Sequence, residues 1–256
     1  MPGADLTLLI EAAKEAGRIA TKFSGPTAQV WDKPDGAGPV TEADLAVNKM
    51  LEAELLTARP DYGWLSEESA HNDARQDADR VFIIDPIDGT RSFIAGAPTW
   101  AHSLAIARQG KVTAAVVYLP MCDKLYCAEA GRGAFLNDGA LTVGSRADLS
   151  GADVLAARPA MEAKNWKSLP EISRHHRPSL AYRLSLVAEG RYDAMLTLRK
   201  TWEWDIAAGD LILREAGAST SDKFGRPLIF NNPDPRLRGM VAANGALHGQ
   251  ILDALI

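Results

Sequence analysis

The segment Val81-Phe82-Ile83-Ile84-Asp85-Pro86-Ile87-Asp88-Gly89-Thr90-Arg91-Ser92-Phe93 concentrates residue types that can do chemistry. An apolar run of β character ends at an aspartate, and the proline after it pre-sets a turn. A type I turn brings its first and fourth residues within about 7 Å at Cα, which predicts that Asp85 and Asp88 converge. Two carboxylates held that close repel each other unless a cation lies between them. Oxygen-only ligands select a hard ion such as Mg²⁺. Pro86 has no amide hydrogen, and the turn can leave the Ile87 carbonyl free as a further ligand. Gly89-Thr90 then opens a helix whose unpaired amides favour a phosphate or another anion. A divalent-metal cluster beside an anion cradle is what phosphate-ester hydrolysis requires. Alone, DPIDG is also ordinary surface-turn chemistry, so other residues must decide.

Further acids bear on that choice. Ser66-Glu67-Glu68-Ser69 follows the strand-like GWL and can place a carboxylate at the same sheet edge, or can form a solvated acidic loop. Trp204-Asp205-Ile206-Ala207-Ala208-Gly209-Asp210 begins a helix with an aspartate at its N-terminal end, where an N-cap beside a buried tryptophan is the simpler reading. Thr41-Glu42-Ala43-Asp44 fits a capping box; a functional Asp44 would instead face the metals and orient the Thr90 hydroxyl. No histidine falls within the central motif. His102, inside the apolar HSLAIA, reads as a core residue, and His175-His176 among Arg174 and Arg177 as an exposed basic loop.

The elements that must position these residues follow from periodicity. Leu6, Leu9, Ala13, Ala16, Ala20 and Phe23 form a helical stripe, stopped at Gly25-Pro26. Val30 to Pro39 reads as a loop with Lys33-Pro34-Asp35-Gly36 as its turn, and a second helix is predicted over 41–58 with Val47, Leu51 and Leu55 buried. Short strands follow at GWLS, VFIID, HSLAIAR, VTAAVVYLP and KLYCAEA. After Gly151 the pattern alternates: VLAARP, a helix over 179–189, AMLTL, a helix over 205–216, a short strand, GMVAAN and a C-terminal helix. This predicts an N-terminal α+β lobe (1–150) that carries most of the acids. An α/β lobe (151–256) would contribute Asp205.

Composition sets the outer bounds. The 256 residues are 46% hydrophobic and 24% charged, which fits one large globular fold or two lobes. No apolar run approaches the roughly 18–20 residues of a membrane span, and the N-terminus lacks the basic start of a signal peptide. Cys122 and Cys127 read as two reduced thiols in a hairpin, so a cytoplasmic setting is expected. A net charge of −5 without any lysine or arginine block argues against polymeric nucleic acid as a partner.

Taken jointly, DPIDGTRSF, the acidic SEES ahead of it, WDIAAG behind it and the helix bearing TEAD resemble the inositol monophosphatase superfamily, along nearly the whole chain. Ser66 stands where that family usually has Gly, and Phe82 where Trp is common; neither removes a chemical group. The resemblance implies a layered αβαβα sandwich of the inositol monophosphatase and sugar phosphatase type, lithium sensitivity and a homodimer. It implies that Glu67, Asp85 and the Ile87 carbonyl hold a first Mg²⁺, and that Asp85, Asp88 and Asp205 hold a second. A third ion would again use Glu67, with Glu68 in support. Thr90, backed by Asp44, would help to deprotonate an attacking water in a direct in-line displacement without a covalent enzyme intermediate. The Gly89 and Thr90 amides would receive the phosphate, beside Asp88 and Asp205.

The substrate would be a small phosphorylated metabolite. In the inositol-specific branch, an acid seven positions before the WD aspartate binds ring hydroxyls; here that position is Leu198, followed by Arg199 and Lys200. An acid lost and two cations gained favour a substrate with a further phosphate, and the stretch Ser179 to Arg183 followed by LVAEG resembles bacterial 3′(2′),5′-bisphosphate nucleotidases. Inositol monophosphatase activity is the alternative. A regulatory binding protein of the same fold is another, although the complete acid set speaks against a catalytically dead scaffold.

Overall fold

The computed structural model describes residues 2–23, 28–33, 38–70 and 72–256. The helix stop expected at Gly25-Pro26 and the turn expected around Pro34-Asp35-Gly36 lie outside them. The first helix, α1 (Ala4–Ala20), buries Leu6, Leu9, Ala13, Ala16 and Ala20 as its apolar stripe requires. The segment expected to be a loop holds two short strands instead, β1 (Val30–Asp32) and β2 (Pro39–Thr41), paired antiparallel. Every residue of β1 is solvent-facing, so no apolar alternation marked it as a strand. Helix α2 (Glu42–Ala58) starts from a complete Thr41–Asp44 capping box and buries Val47, Leu51 and Leu55.

Seven strands then lie side by side in chain order: β3 (Gly63–Ser66), β4 (Arg80–Asp88), β5 (Ala101–Arg108), β6 (Lys111–Leu119), β7 (Lys124–Glu129), β8 (Ala134–Leu136) and β9 (Gly139–Ala140). All neighbours are antiparallel except β3 and β4, which run parallel. The short helix α3 (Thr90–Ile94) follows β4. A second, five-stranded sheet has the order β11 (Ser173–His175), β10 (Asp153–Ala156), β12 (Ala194–Thr197), β16 (Met240–Ala243), β14 (Ser219–Ser221). Helices α4 (Leu180–Ala188) and α5 (Glu203–Glu215) connect its strands, with the small pair β13 (Thr201–Trp202) and β15 (Arg236–Leu237) at the start of α5. The C-terminal helix is α6 (Gly245–Ala254).

Three apolar clusters fill the four junctions between five structural layers. Leu9, Val47 and Leu51 meet Phe82, Ile84 and Val116 between the first helix pair and the seven-stranded sheet. The opposite face of that sheet, through Ile83, Ala105 and Val117, shares a core with Leu184 and Val187 of α4 and Ile206 and Leu211 of α5. Met195 and Ala242 bring the second sheet into the same core, while Val154, Leu196 and Val241 on its other face pack with Leu247 and Ile251 of α6. The order is therefore αβαβα. The middle core crosses residue 150, so the two sheets share one interior.

The central helix pair crosses at a glycine. A Cβ at Gly209 would come within 2.4 Å of Leu184 Cδ1 and 2.6 Å of its Cβ. Gly209→Ala is expected to overpack this crossing at a cost of about 1–3 kcal/mol, read as a lower midpoint in chemical denaturation. An unchanged midpoint would show that the helices can separate freely.

Candidate active site

Strand β4 runs straight through the expected turn. Pro86 cannot donate to the ladder, so pairing steps from Asp85–Ser103 to Asp88–Ala101, three residues on β4 against two on β5. The feature is a β-bulge and not a type I turn. In a regular strand, residues three apart face opposite sides; the extra residue returns Asp88 to the side of Asp85. His102 fixes the bulge, its Nδ1 meeting the Pro86 carbonyl. A carbonyl only accepts, so Nδ1 carries the proton. Burial pushes this imidazole down to about 4, so it stays neutral and structural, as its place in HSLAIA implied.

The acids come from three segments of the chain, β4 supplying both Asp85 and Asp88. Glu67 follows β3, and its amide donates to the Ile84 carbonyl at 3.2 Å, pinning the SEES loop beside the end of β4. Ser66 Oγ donates to Asn48 Oδ1 at 2.6 Å, and Asn48 Nδ2 donates to Ser69 Oγ at 3.0 Å, so the same loop is tied to α2. Asp88 is buried against the first turn of α4, where Ser179 Oγ (2.7 Å) and the Ala181 amide (2.6 Å) donate to Oδ2. Asp205 arrives on α5, which begins two residues earlier than expected, at Glu203 after Trp202. Asp205 is thus the third helical residue and not an N-cap.

Two cross-links set α5 against the other acids. Ser103, the ladder partner of Asp85, donates through Oγ to the Trp204 carbonyl at 2.9 Å. Glu203 accepts from the amides of Asn231 (2.5 Å) and Asn232 (2.9 Å). Buried Arg75, downstream of the SEES loop, donates to Asn231 Oδ1 and to the Asn232 carbonyl at 2.7 Å. One polar clamp therefore holds both the Glu67 side and the Asp205 side of the cluster.

The electrostatics are those of crowded carboxylates. Burial raises the pKa of Asp85 well above its ordinary value, and Glu67, Asp88, Asp205 and Asp44 add to the shift. Asp205 is raised by burial, then by Asp88 and Glu67, against the opposing pull of Arg199 and Lys33. Burial raises Asp88 despite its donors from α4. Glu68 is pushed to about 7 and Asp44 to about 6, chiefly by burial. The counter-charge is Lys33, a residue that nothing in the local sequence singles out. Its Nζ lies 2.6 Å from both Glu67 Oε1 and Glu68 Oε1, and these carboxylates outweigh burial to raise its pKa.

Among the described residues no three His, Cys, Asp or Glu side chains are gathered tightly enough to hold an ion as they stand. The donor set nevertheless fits a hard divalent cation. It offers only oxygen, and Asp85 Oδ1 is buried with no hydrogen-bond partner, an arrangement that costs free energy unless a cation takes it up. Two details differ from the expected site. The Ile87 carbonyl accepts from Thr90 Oγ1 at 3.2 Å. Asp44 does not orient Thr90; its Oδ2 accepts from the Thr41 amide (2.8 Å) and hydroxyl (2.5 Å), because the capping box holds it on its own helix. Gly89 keeps a left-handed φ of 98° with Ser179 against it, which suits glycine alone. Arg199 lies within electrostatic reach of Asp205, whereas Lys200 is exposed and 4.0 Å from Asp234.

Residues 4–255 match the family model described as the inositol monophosphatase family. The chain belongs to the inositol monophosphatase family. Its similarity to the inositol-1-monophosphatase of Mesorhizobium japonicum is 35% identity, over 98% of this chain and 95% of that one. It is also 33% identical to the Nus factor SuhB of Escherichia coli, over 85% of this chain and 84% of the relative. The crystal structure of extragenic suppressor protein suhB from Bartonella henselae superposes with a TM-score of 0.83, at 32% identity and 98% coverage of both chains. Like its inositol monophosphatase relatives, the chain is a metal-dependent phosphomonoesterase.

Carboxyls whose pKa is higher folded than unfolded stabilise the fold below about pH 4 and lose that contribution as pH rises past their folded values. The melting temperature of the metal-free chain is expected to fall from about pH 4 to about pH 8 and to recover on addition of Mg²⁺. Asp85→Asn should flatten the fall by removing one of the crowded charges. A melting temperature that climbs with pH over this range contradicts the account.

Proposed function

We propose that this phosphatase uses Mg²⁺, two or three ions per site, to hydrolyse one phosphate of a 3′(2′),5′-bisphosphate nucleotide. Glu67, Asp85, Asp88, Asp205 and the Ile87 carbonyl would hold the ions, and their all-oxygen chemistry supports the choice of metal. Bound there, divalent ions would supply a water of lowered pKa and charge to offset the departing alkoxide. The chain does the rest. Asp88 is held by the first turn of α4, so the floor of the site cannot drift as charge shifts. The Thr90 hydroxyl, which donates to the Ile87 carbonyl at 3.2 Å, would accept a hydrogen bond from the attacking water and orient it, and the Gly89 and Thr90 amides would orient the phosphate. Asp44 serves by fixing α2 and the SEES loop bonded to it. Lys33 holds Glu67 through Oε1, which leaves Oε2 to serve an ion.

The observation that carries the substrate reading is the pairing of Leu198, where an acid would bind inositol hydroxyls, with Arg199 within reach of Asp205. Lys200, the second cation of that stretch, is exposed and stands 4.0 Å from Asp234. Hydrolysis of inositol monophosphate is the second reading, favoured by the relatives named inositol-1-monophosphatase. A regulatory role beside catalysis is suggested by relatives named Nus factor SuhB, and lithium inhibition and a homodimer are further expectations.

Phosphate release from adenosine bisphosphate, inositol monophosphate and fructose bisphosphate, with Mg²⁺ and with added lithium, decides among these. Wild type is expected to turn over the nucleotide fastest. Asp85→Asn should lose about 100-fold or more, and Asp44→Asn about tenfold. Equal and mild losses would remove the metal assignment, and a preference for inositol monophosphate would remove the nucleotide.

A further inference from the structure

Beside the acidic cluster, the second lobe assembles positive charge that makes no ion pair. Arg158, Arg174, Arg177, Arg183 and Arg199 have no carboxylate within salt-bridge distance among the described residues. Most other arginines described do; Arg18, Arg59, Arg108, Arg214 and Arg236 each pair with an acid. On a chain of net charge −5, this is a local patch of the opposite sign, suited to an anion.

The arrangement is ordered. Arg183 projects from the helix whose first turn grips Asp88, and lies half-buried within electrostatic reach of Asp88, Asp205 and Arg199. Its Nε donates to the Arg177 carbonyl, and its Nη2 lies 2.8 Å from His176 Nε2. A guanidinium can only donate, so His176 accepts there and is neutral. Burial and the surrounding arginines lower its pKa and keep it so. His176 thus steers Arg183 without adding to the charge. Beyond it opens a hollow of about 360 Å³ lined by Arg158, Arg174 and His176. Arg174 is braced by donating Nη1 to the Ala156 carbonyl at 3.0 Å.

We infer that this arginine basin is a second anion subsite, in which Arg183 and Arg199 bind the phosphate that is not cleaved and the hollow beside His176 takes the remainder of the substrate. The inference rests on the phosphatase reading and deepens it. It makes Arg183 and Arg199 the specificity-determining residues, in place of Arg199 with Lys200. Burial and the nearby Arg199 lower the pKa of Arg183, and a bridging dianion would convert that repulsion into charge-assisted hydrogen bonds.

The test uses two substrates that differ only in the second phosphate, adenosine 3′,5′-bisphosphate and adenosine 3′-monophosphate. KM and kcat are measured for wild type, Arg183→Gln and the exposed Arg199→Ala, which keeps the assay open if the half-buried change disturbs folding. The expected result is a preference for the bisphosphate in wild type, expressed in KM, that shrinks about tenfold or more in each variant. A second measurement needs neither metal nor turnover. Calorimetric titration of the metal-free chain with adenosine 5′-monophosphate should show binding that both variants weaken about tenfold, with adenosine as the phosphate-free control. Losses of equal size on both substrates, or nucleotide binding unaffected by either change, would overturn the subsite. Absence of phosphate release from every substrate would instead overturn the phosphatase reading, leaving the titration to judge the basin by itself.

Discussion

Like charges crowded away from water are the constraint on which this architecture turns. Asp85 and Asp88 from β4, Glu67 after β3 and Asp205 on α5 come together, and burial disfavours the charge on the three aspartates. They are kept together because the groups around them are already committed elsewhere. The sheet ladder holds Asp85 beside Ser103, α4 caps itself on Asp88, and the clamp from Arg75 to Glu203 fixes the helix that carries Asp205. Lys33 offsets part of the repulsion. The fold spends packing energy to hold a site that is unfavourable by itself, which is how a protein prepares to bind cations.

The bulge in β4 shows how a small backbone irregularity can decide chemistry. Proline without an amide hydrogen breaks the ladder once, His102 occupies the carbonyl exposed by the break, and two aspartates come to share one side of a strand. A buried neutral imidazole suits this task because it donates a single bond without bringing a charge into the core.

Much of this was legible in the residues themselves. The stripe in α1, the capping box of α2, the strands of the large sheet and the acids of the cluster follow from periodicity and residue type. What escaped was set by contacts between distant segments. The helix around Asp205 starts at Glu203 because Asn231 and Asn232 satisfy that glutamate, and no neighbour of Asp205 in sequence announces it. Lys33 sits in a solvent-facing hairpin whose residues resemble a loop. DPID looked like a turn because proline followed by aspartate commonly makes one, whereas here the long pairing with β5 overrides local preference. Arg199 and Lys200 are adjacent in sequence yet face different surroundings.

The continuous core between the seven-stranded sheet, α4 and α5, and the second sheet has a mechanical corollary. Because Met195 and Ala242 share an interior with Ile83 and Val117, the two halves cannot swing apart about a hinge without exposing apolar surface. Lys33, just past β1, reaches Glu67 and Glu68 from outside that shared interior, so the charge it lends the acids does not depend on the packing between the two sheets.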